Sequence, residues 1–399
     1  MEAEHHAFLK VLKFALHHRQ EDTPEPMTPA RWQRIFALAQ AHKLLPLFYE
    51  AACTQSDSAL APLLASVRRQ SLMQVMEQTV KTQEFLQLYR LLSEAGYSPL
   101  VVKGISCRNL YPNPDLRPSS DEDLLVPPSQ FQAVEALLQE FGLTPVSRQE
   151  DEVSFRKPDS PLHIELHRKL FPSEQQAYSH LNDWFEDIFS RSLRTGIQDI
   201  SIAVPDHTDH LLYLICHSLK HFLHSGFGIR QVCDLLLFTQ AHAGELDWPR
   251  IIVACQDIRC VSFVSALFRI GTRHLGFDPN ALGIPGDVLE MEIDELPLLT
   301  DILESGIYGS STLERQRSSN ITLNAMIEKP RSSPFAASLF PGALQLQGRY
   351  PYLKKHPWLL PVAWASRMVR YVKSPSHTRE TLSIGAKRLA LLEQYDLIS

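Results

Sequence analysis

The hydrophobic period of the chain changes at Gly96, and that change restricts the fold more than any other feature. Before it, from about Pro62 to Glu94, Leu64, Val67, Leu72, Val75, Met76, Val80, Phe85, Leu88 and Leu92 recur at helical spacing. An earlier helix starts at Thr28-Pro29, a capping hydroxyl followed by proline where its missing N–H is harmless. After Gly96 the pattern turns strand-like: Pro99–Val102, Asp123–Val126, Val153–Arg156 and Leu162–Leu166 are short β-type runs. One helix, Gln130 to Glu140, lies among them, with Ser129 as its expected cap and Gly142 as its stop. From Thr208 helical patterns return in Leu211–Leu223, Val232–Phe238 and Trp248–Phe277. Strands mixed with helices over one span, with helices on both sides, indicate an α+β or α/β domain. The expected organisation is a helical region over 1–96, a sheet-bearing block over 97–205 and a helical domain over 206–300 that closes its cleft. The remainder, 301–399, is a loop-rich segment followed by two helices near 361–372 and 378–395.

Charge and cysteine content narrow the classes. Lys plus Arg number 39 against 45 Asp plus Glu, a formal charge of −6. A protein held to nucleic acid by its overall field is normally basic, so nucleic acid is disfavoured as a partner. The six cysteines form no CxxC pair and mostly sit in apolar runs, as reduced thiols of a cytoplasmic protein do. The acidic start Met1-Glu2-Ala3-Glu4 is unlike a signal peptide, and no apolar run approaches the ~18–20 residues that span a bilayer. The expected location is the cytoplasm.

The densest chemical signal is Val101-Val102-Lys103-Gly104-Ile105-Ser106 followed by Arg117 and Asp121-Glu122-Asp123-Leu124-Leu125-Val126. Alternate side chains of a strand share a face, so Asp121 and Asp123 point one way and Glu122 the other. Two carboxylates converging from one strand repel unless a cation sits between them, and hard oxygen ligands suit Mg²⁺. The Lys103-Gly104 turn, between a β run and a helix-like stretch, offers backbone N–H groups and a lysine to phosphate. In His163-Ile164-Glu165-Leu166-His167 the three polar residues share one face, which makes Glu165 a third carboxylate. A zinc site of His163, Glu165 and His167 is the rival, disfavoured by ligands spaced so closely on one strand. Arg117 either grips phosphate through its fork or pairs with Asp115 or Asp121.

Two further stretches carry charge on helical faces. His217, Lys220, His221 and His224 fall within one helical run, either as a polar packing stripe or as cleft residues facing a triphosphate. Near the end, Lys354-Lys355, Trp358, Trp364, Arg367, Arg370 and Lys373 form a basic amphipathic segment of the kind that makes weak peripheral membrane contact, although such stripes more often pack on their own domain.

At these residues the sequence resembles the bacterial uncharacterised nucleotidyltransferases, a branch of the DNA polymerase β-like nucleotidyltransferase superfamily. The resemblance rests on Lys103-Gly104, Tyr111-Pro112, Arg117, Asp121–Val126 and Glu165-Leu166-His167, with a looser match through His217, Lys220 and His221 to Asp234. It departs from the superfamily's glycine turn, since Ile105 separates Gly104 from Ser106, and Arg168 stands where the family has an aromatic. The resemblance implies an α+β, nucleotidyltransferase-fold catalytic domain with a mixed sheet core, in which Asp121, Asp123 and Glu165 are both metal ligands and catalytic residues. It implies two Mg²⁺ ions, with Mn²⁺ as a substitute, and nucleotide contacts from Lys103, Gly104, Ser106, Arg117, His217, Lys220 and His221. The implied reaction moves a nucleoside monophosphate from an NTP such as ATP to a hydroxyl acceptor: a small molecule, a peptide or a protein. Rival readings are an inactive nucleotide-binding regulatory partner and a transferase with a nucleotide-sugar donor.

Overall fold

The computed structural model describes residues 2–55, 58–305, 312–327, 340, 342–346, 350–373 and 375–398. The described helices before the sheet are α1 (Ala3–His17), α2 (Pro29–Ala41), α3 (Leu45–Cys53) and α4 (Ala61–Glu94). Thr28 caps α2 by accepting from Arg31 N at 3.3 Å, as its position predicts. Helix α4 buries Phe85, Leu88, Tyr89 and Leu92 against the sheet, and the Tyr89 hydroxyl donates to Pro99 O (2.9 Å) while accepting from Ala203 N (2.8 Å). The apolar stripe expected along this helix is only partly covered: Leu64, Val67 and Val75 pack against the helical core, whereas Leu72, Met76 and Val80 are exposed.

Seven strands among the described residues form one mixed sheet: β1 (Leu100–Val101), β2 (Glu122–Leu125), β3 (Thr144–Arg148), β4 (Glu152–Arg156), β5 (His163–His167), β6 (Leu193–Ile197) and β7 (Ile200–Val204), in the order β3-β4-β5-β2-β1-β7-β6. Between them lie α5 (Ile105–Arg108) and α6 (Phe131–Glu140). This is the expected α+β nucleotidyltransferase-like architecture. Gly96 and Gly142 end their helices at φ +86° and +94°, the left-handed backbone that glycine adopts without strain. Ser129 does not cap α6; the chain enters that helix through a Pro127–Gln130 turn, with Gln130 at the cap position.

The decisive register is the parallel pairing of β2 with β5, which sets Glu122 opposite Ile164, Asp123 opposite Glu165 and Leu125 opposite His167. Leu124, Val126, Ile164 and Leu166 are buried in the core under α4 and α6, so the charged face of the same strands is driven outward. Past the sheet run α7 (His207–His224), α8 (Ile229–Ala241), α9 (Trp248–Asp257) and α10 (Val261–His274). These share one apolar core with α1 to α3. Helices α11 (Pro279–Leu282), α12 (Gly286–Leu289), α13 (Leu296–Ser305) and α14 (Leu313–Ala325) follow, and Leu360–Lys373 and Pro375–Gln394 are the last two. The stretch expected to be loop-rich thus contains α14, whose polar Arg, Ser and Asn composition hides its period. All six cysteines are free, five of them buried. Among the described residues no helix is long and apolar enough to cross a membrane. Trp364 packs near Phe340 and Trp358 is exposed, while the basic side chains of Arg367, Arg370 and Lys373 lie outside the described residues.

Candidate active site

Asp121, Asp123 and Glu165 line one cavity of about 450 Å³ with Lys103, Gly104, His167, His217, Lys220 and His221. The sheet supplies the acids and α7 supplies the opposite wall. Parallel pairing puts Asp123 beside Glu165, and alternation puts His167 on their face, with Nε2 3.2 Å from Asp123 Oδ1 and 3.8 Å from Glu165 Oε2. Glu152, the neighbour of His167 on β4, stands 3.6 Å from its Nδ1. Ligand atoms of Asp123, Glu165 and His167 all fall within 4.8 Å of one another, close enough to hold a metal ion. His163 belongs to the row nearer Asp121 and borders a second cavity, so the zinc trio of the sequence does not assemble as written.

Lys103 is the cation closest to Asp121 and Asp123. Its Nζ lies 3.1 Å from Asp123 Oδ2, 3.8 Å from Asp121 Oδ1 and 3.3 Å from His217 Nε2. Burial works against the ammonium, but Asp121 and Asp123 outweigh it and hold the lysine well above its ordinary value. Burial likewise opposes the Asp121 carboxylate, yet Lys103, with His163 and Arg230, keeps it well below the usual range. Glu165 goes the other way: burial, with Asp123 and Asp121 alongside, pushes its carboxyl up to about 9. One lysine does not neutralise three acids, and the third holds its proton. Such a donor set fits a divalent cation, which would replace that proton.

The α7 wall carries Lys220 and three buried or half-buried histidines. His217 Nε2 and His221 Nε2 are 3.1 Å apart, and burial, then Lys103 for His217 and Lys220 for His221, drives both well below the ordinary histidine value. The ammonium of Lys103 only donates, so His217 Nε2 accepts and the proton between the rings belongs to His221. Burial and Lys103 lower Lys220, and His224 falls to about 4 through burial, Lys220 and Arg388. The His224 Nε2 lies 2.8 Å from the Tyr178 hydroxyl.

Three expectations at the mouth are corrected by the geometry. Glu122, on the far face of β2, is fully buried, paired with Arg108 Nη1 at 2.6 Å, and accepts from Ile105 N at 2.6 Å. The first amide after the glycine turn is therefore spent on Glu122 and not offered to phosphate. Ser106 lies outside the cavity lining, its hydroxyl donating back to Lys103 O at 3.3 Å. Arg117 pairs with neither Asp115 nor Asp121: Nε donates to Asp234 Oδ1 at 2.9 Å and Nη2 to Oδ2, with the Tyr111 hydroxyl donating to the same carboxylate at 2.8 Å. The fork that a phosphate would need is already occupied, and it ties the β2 approach to α8. Sequence reasoning missed Lys43 and Lys81, which with Arg230 pin the Pro118–Ser120 loop. Arg230 donates to Pro118 O (2.5 Å), Lys81 to Ser119 O (2.5 Å) and Ser120 O (3.2 Å), and Lys43 to the Ser120 hydroxyl. They come from elements distant in sequence, with no local motif to mark them.

A family model described as uncharacterised nucleotidyltransferase matches residues 28–276. The chain belongs to this nucleotidyltransferase family. No curated protein and no solved structure matches it. The family's span takes in α2 to α10 and the whole sheet, so every acid and cation described in the cavity falls within it. Nucleotidyl transfer is thereby the general chemistry to which the geometry must answer.

Proposed function

We propose that the protein transfers a nucleoside monophosphate from an NTP to a hydroxyl acceptor, using Mg²⁺ held by Asp121, Asp123 and Glu165. The observation that carries this reading is the crowding of three carboxylates in one cavity with a single lysine between two of them, so that Glu165 is pushed to about 9. A site with that excess of negative charge is built for cations. His167, beside Asp123 and Glu165, adds a nitrogen donor at the edge of the set. When two Mg²⁺ (or Mn²⁺) ions are bound, they acidify the acceptor hydroxyl and neutralise charge on the leaving pyrophosphate.

The chain's own residues do the rest. Lys220, with the His217–His221 pair, lies across from the acids and binds triphosphate oxygens, and Lys103 swings from the carboxylates toward the same anion. The acceptor oxygen forms a bond to the α-phosphorus, the bond from that phosphorus to the bridging oxygen breaks, and pyrophosphate leaves. Glu165 takes the acceptor's proton. The acceptor is a small molecule, a peptide or a protein. Enclosure of the cavity by Tyr178, Tyr213 and the α7 histidines limits water as a competing acceptor.

The spent amide of the glycine turn supports a second reading, an inactive nucleotide-binding regulator; a nucleotide-sugar transferase would use the same acids. Incubation of the full chain with α- or γ-labelled NTPs or nucleotide sugars, with extract metabolites and proteins as acceptors, separates the three. Mg²⁺-dependent incorporation of the α label with pyrophosphate release is expected. Nucleotide binding without turnover, or transfer from the sugar nucleotide alone, would overturn the reading.

A further inference from the structure

An α-helix leaves its last four carbonyls without partners inside the helix. At the end of α7 those carbonyls are taken up, one after another, by side chains from far downstream. Arg388, on the helix Pro375–Gln394, donates through Nη2 to Phe222 O and through Nη1 to His224 O (2.6 Å). Thr322 of α14 donates to Leu223 O (2.5 Å), and Arg315 of α14 donates through Nε to Ser225 O (2.5 Å) while pairing with Asp301 at 2.7 Å. This turn carries Lys220, His221 and His224 into the cavity. All three donors lie beyond residue 276, where the family match ends.

α7 already has the ordinary glycine stop, with Gly226 at φ +98° donating its N–H to His221 O at 2.9 Å, and the downstream side chains are added to it. Here Arg388 is 1% exposed, and burial, with Arg315 nearby, lowers it to about 9. A buried guanidinium is a costly way to end a helix, and its fork fixes two carbonyls at once, so both the axis and the rotation of the last turn are set. Its charge also faces the negative end of the α7 dipole. Arg388 does not line the cavity, so its effect reaches the ligand only through α7.

We propose that Arg388, with Thr322 and Arg315, is the positioning residue of the nucleotide-facing turn of α7, so that helices outside the family's span complete the triphosphate site. This rests on the nucleotide-binding reading above.

The test uses the full chain and a non-hydrolysable ATP analogue. Arg388→Gln is expected to weaken analogue binding about tenfold or more, the scale of losing charged hydrogen bonds. Mn²⁺ affinity measured without nucleotide stays unchanged, because the acids stand on the sheet. Arg388→Lys, which keeps the charge but not the fork, recovers binding only in part, and full recovery would overturn the role given to the fork. Wild-type analogue affinity in Arg388→Gln, or an equal loss of Mn²⁺ and analogue binding, would overturn the proposal. Should that variant fail to fold, Thr322→Val removes one donor alone; weaker analogue binding supports the proposal and unchanged binding overturns it. If the wild-type chain binds no analogue, the nucleotide reading fails, and amide exchange decides the positioning claim. Faster exchange at residues 223–226 in the variant then upholds it, and unaltered exchange sinks it.

Discussion

Of the three acids in Asp121-Glu122-Asp123, the middle one is structural, and the strand's alternation makes it so. Glu122 holds Arg108 and the Ile105 amide beneath Gly104, whose backbone sits at φ +67°. A Cβ at position 104 would stand 2.0 Å from Glu122 Oε2. Gly104→Ala is therefore expected to cost about 2–5 kcal/mol, summing left-handed strain and overpacking, as read from chemical denaturation. Glu165 makes a prediction of opposite character. Its folded value of about 9 exceeds its ordinary 4.5, so between those values the folded carboxyl binds more protons than the unfolded one. Its contribution is full below about 4.5 and is lost as pH rises toward 9. In chelator, the melting temperature of the wild type should fall relative to Glu165→Gln across that window; parallel curves would contradict the crowding. Alternation makes Asp121 and Asp123 share one face and Glu165 share one with His163 and His167, while the meeting of the two faces is set by the β2–β5 register. The sharing was legible in the sequence; the fate of Arg117 was not, since its partner Asp234 lies on α8 and no local spacing points to it.

Strands and helices divide the labour of the site. The β2–β5 register fixes the acids relative to one another, while α7 and α8 approach from a separate core and add Lys220 and Arg230 to the Lys103 of the β1 turn. The buried Arg117–Asp234 pair, with Tyr111 on the same carboxylate, is one of the ties between the two. Removing one partner strands the other charge, so Arg117→Met should destabilise the chain by about 3–5 kcal/mol. Melting and urea midpoints of the variant check this, and a loss under about 1 kcal/mol would show that the pair is dispensable. At this scale the sequence foretold the helices with apolar stripes and the strands buried on one face. It did not foretell β7, nor β3 and β6, edge strands whose side chains are mostly exposed and carry no alternation. Nor did it foretell that α4 leaves Leu72, Met76 and Val80 of its stripe in solvent.

Among the described residues, a set of buried histidines is held neutral. Burial is the first cause that lowers His42 to about 4, His210 to about 3 and His224 to about 4, and it takes His217 and His221 well below the ordinary value. Folded values below the unfolded 6.5 mean that the unfolded chain binds more protons in acid, so this stability is full above about pH 6.5 and drains as pH falls toward 4. Each such group adds about 1.4 kcal/mol per pH unit to the slope. A melting temperature that drops steeply from pH 6.5 to 4.5, and less steeply in His210→Gln, is expected; a flat profile would refute it. The same molecule spends its acids differently, gathering three of them where only a cation resolves the repulsion. That is the central claim, and Mn²⁺ binding in the presence of a non-hydrolysable NTP, followed by electron paramagnetic resonance, tests it most directly. The wild-type chain should bind two ions, and Asp123→Asn should lose them with its fold intact; undiminished binding in Asp123→Asn, or none in the wild type, would contradict the account.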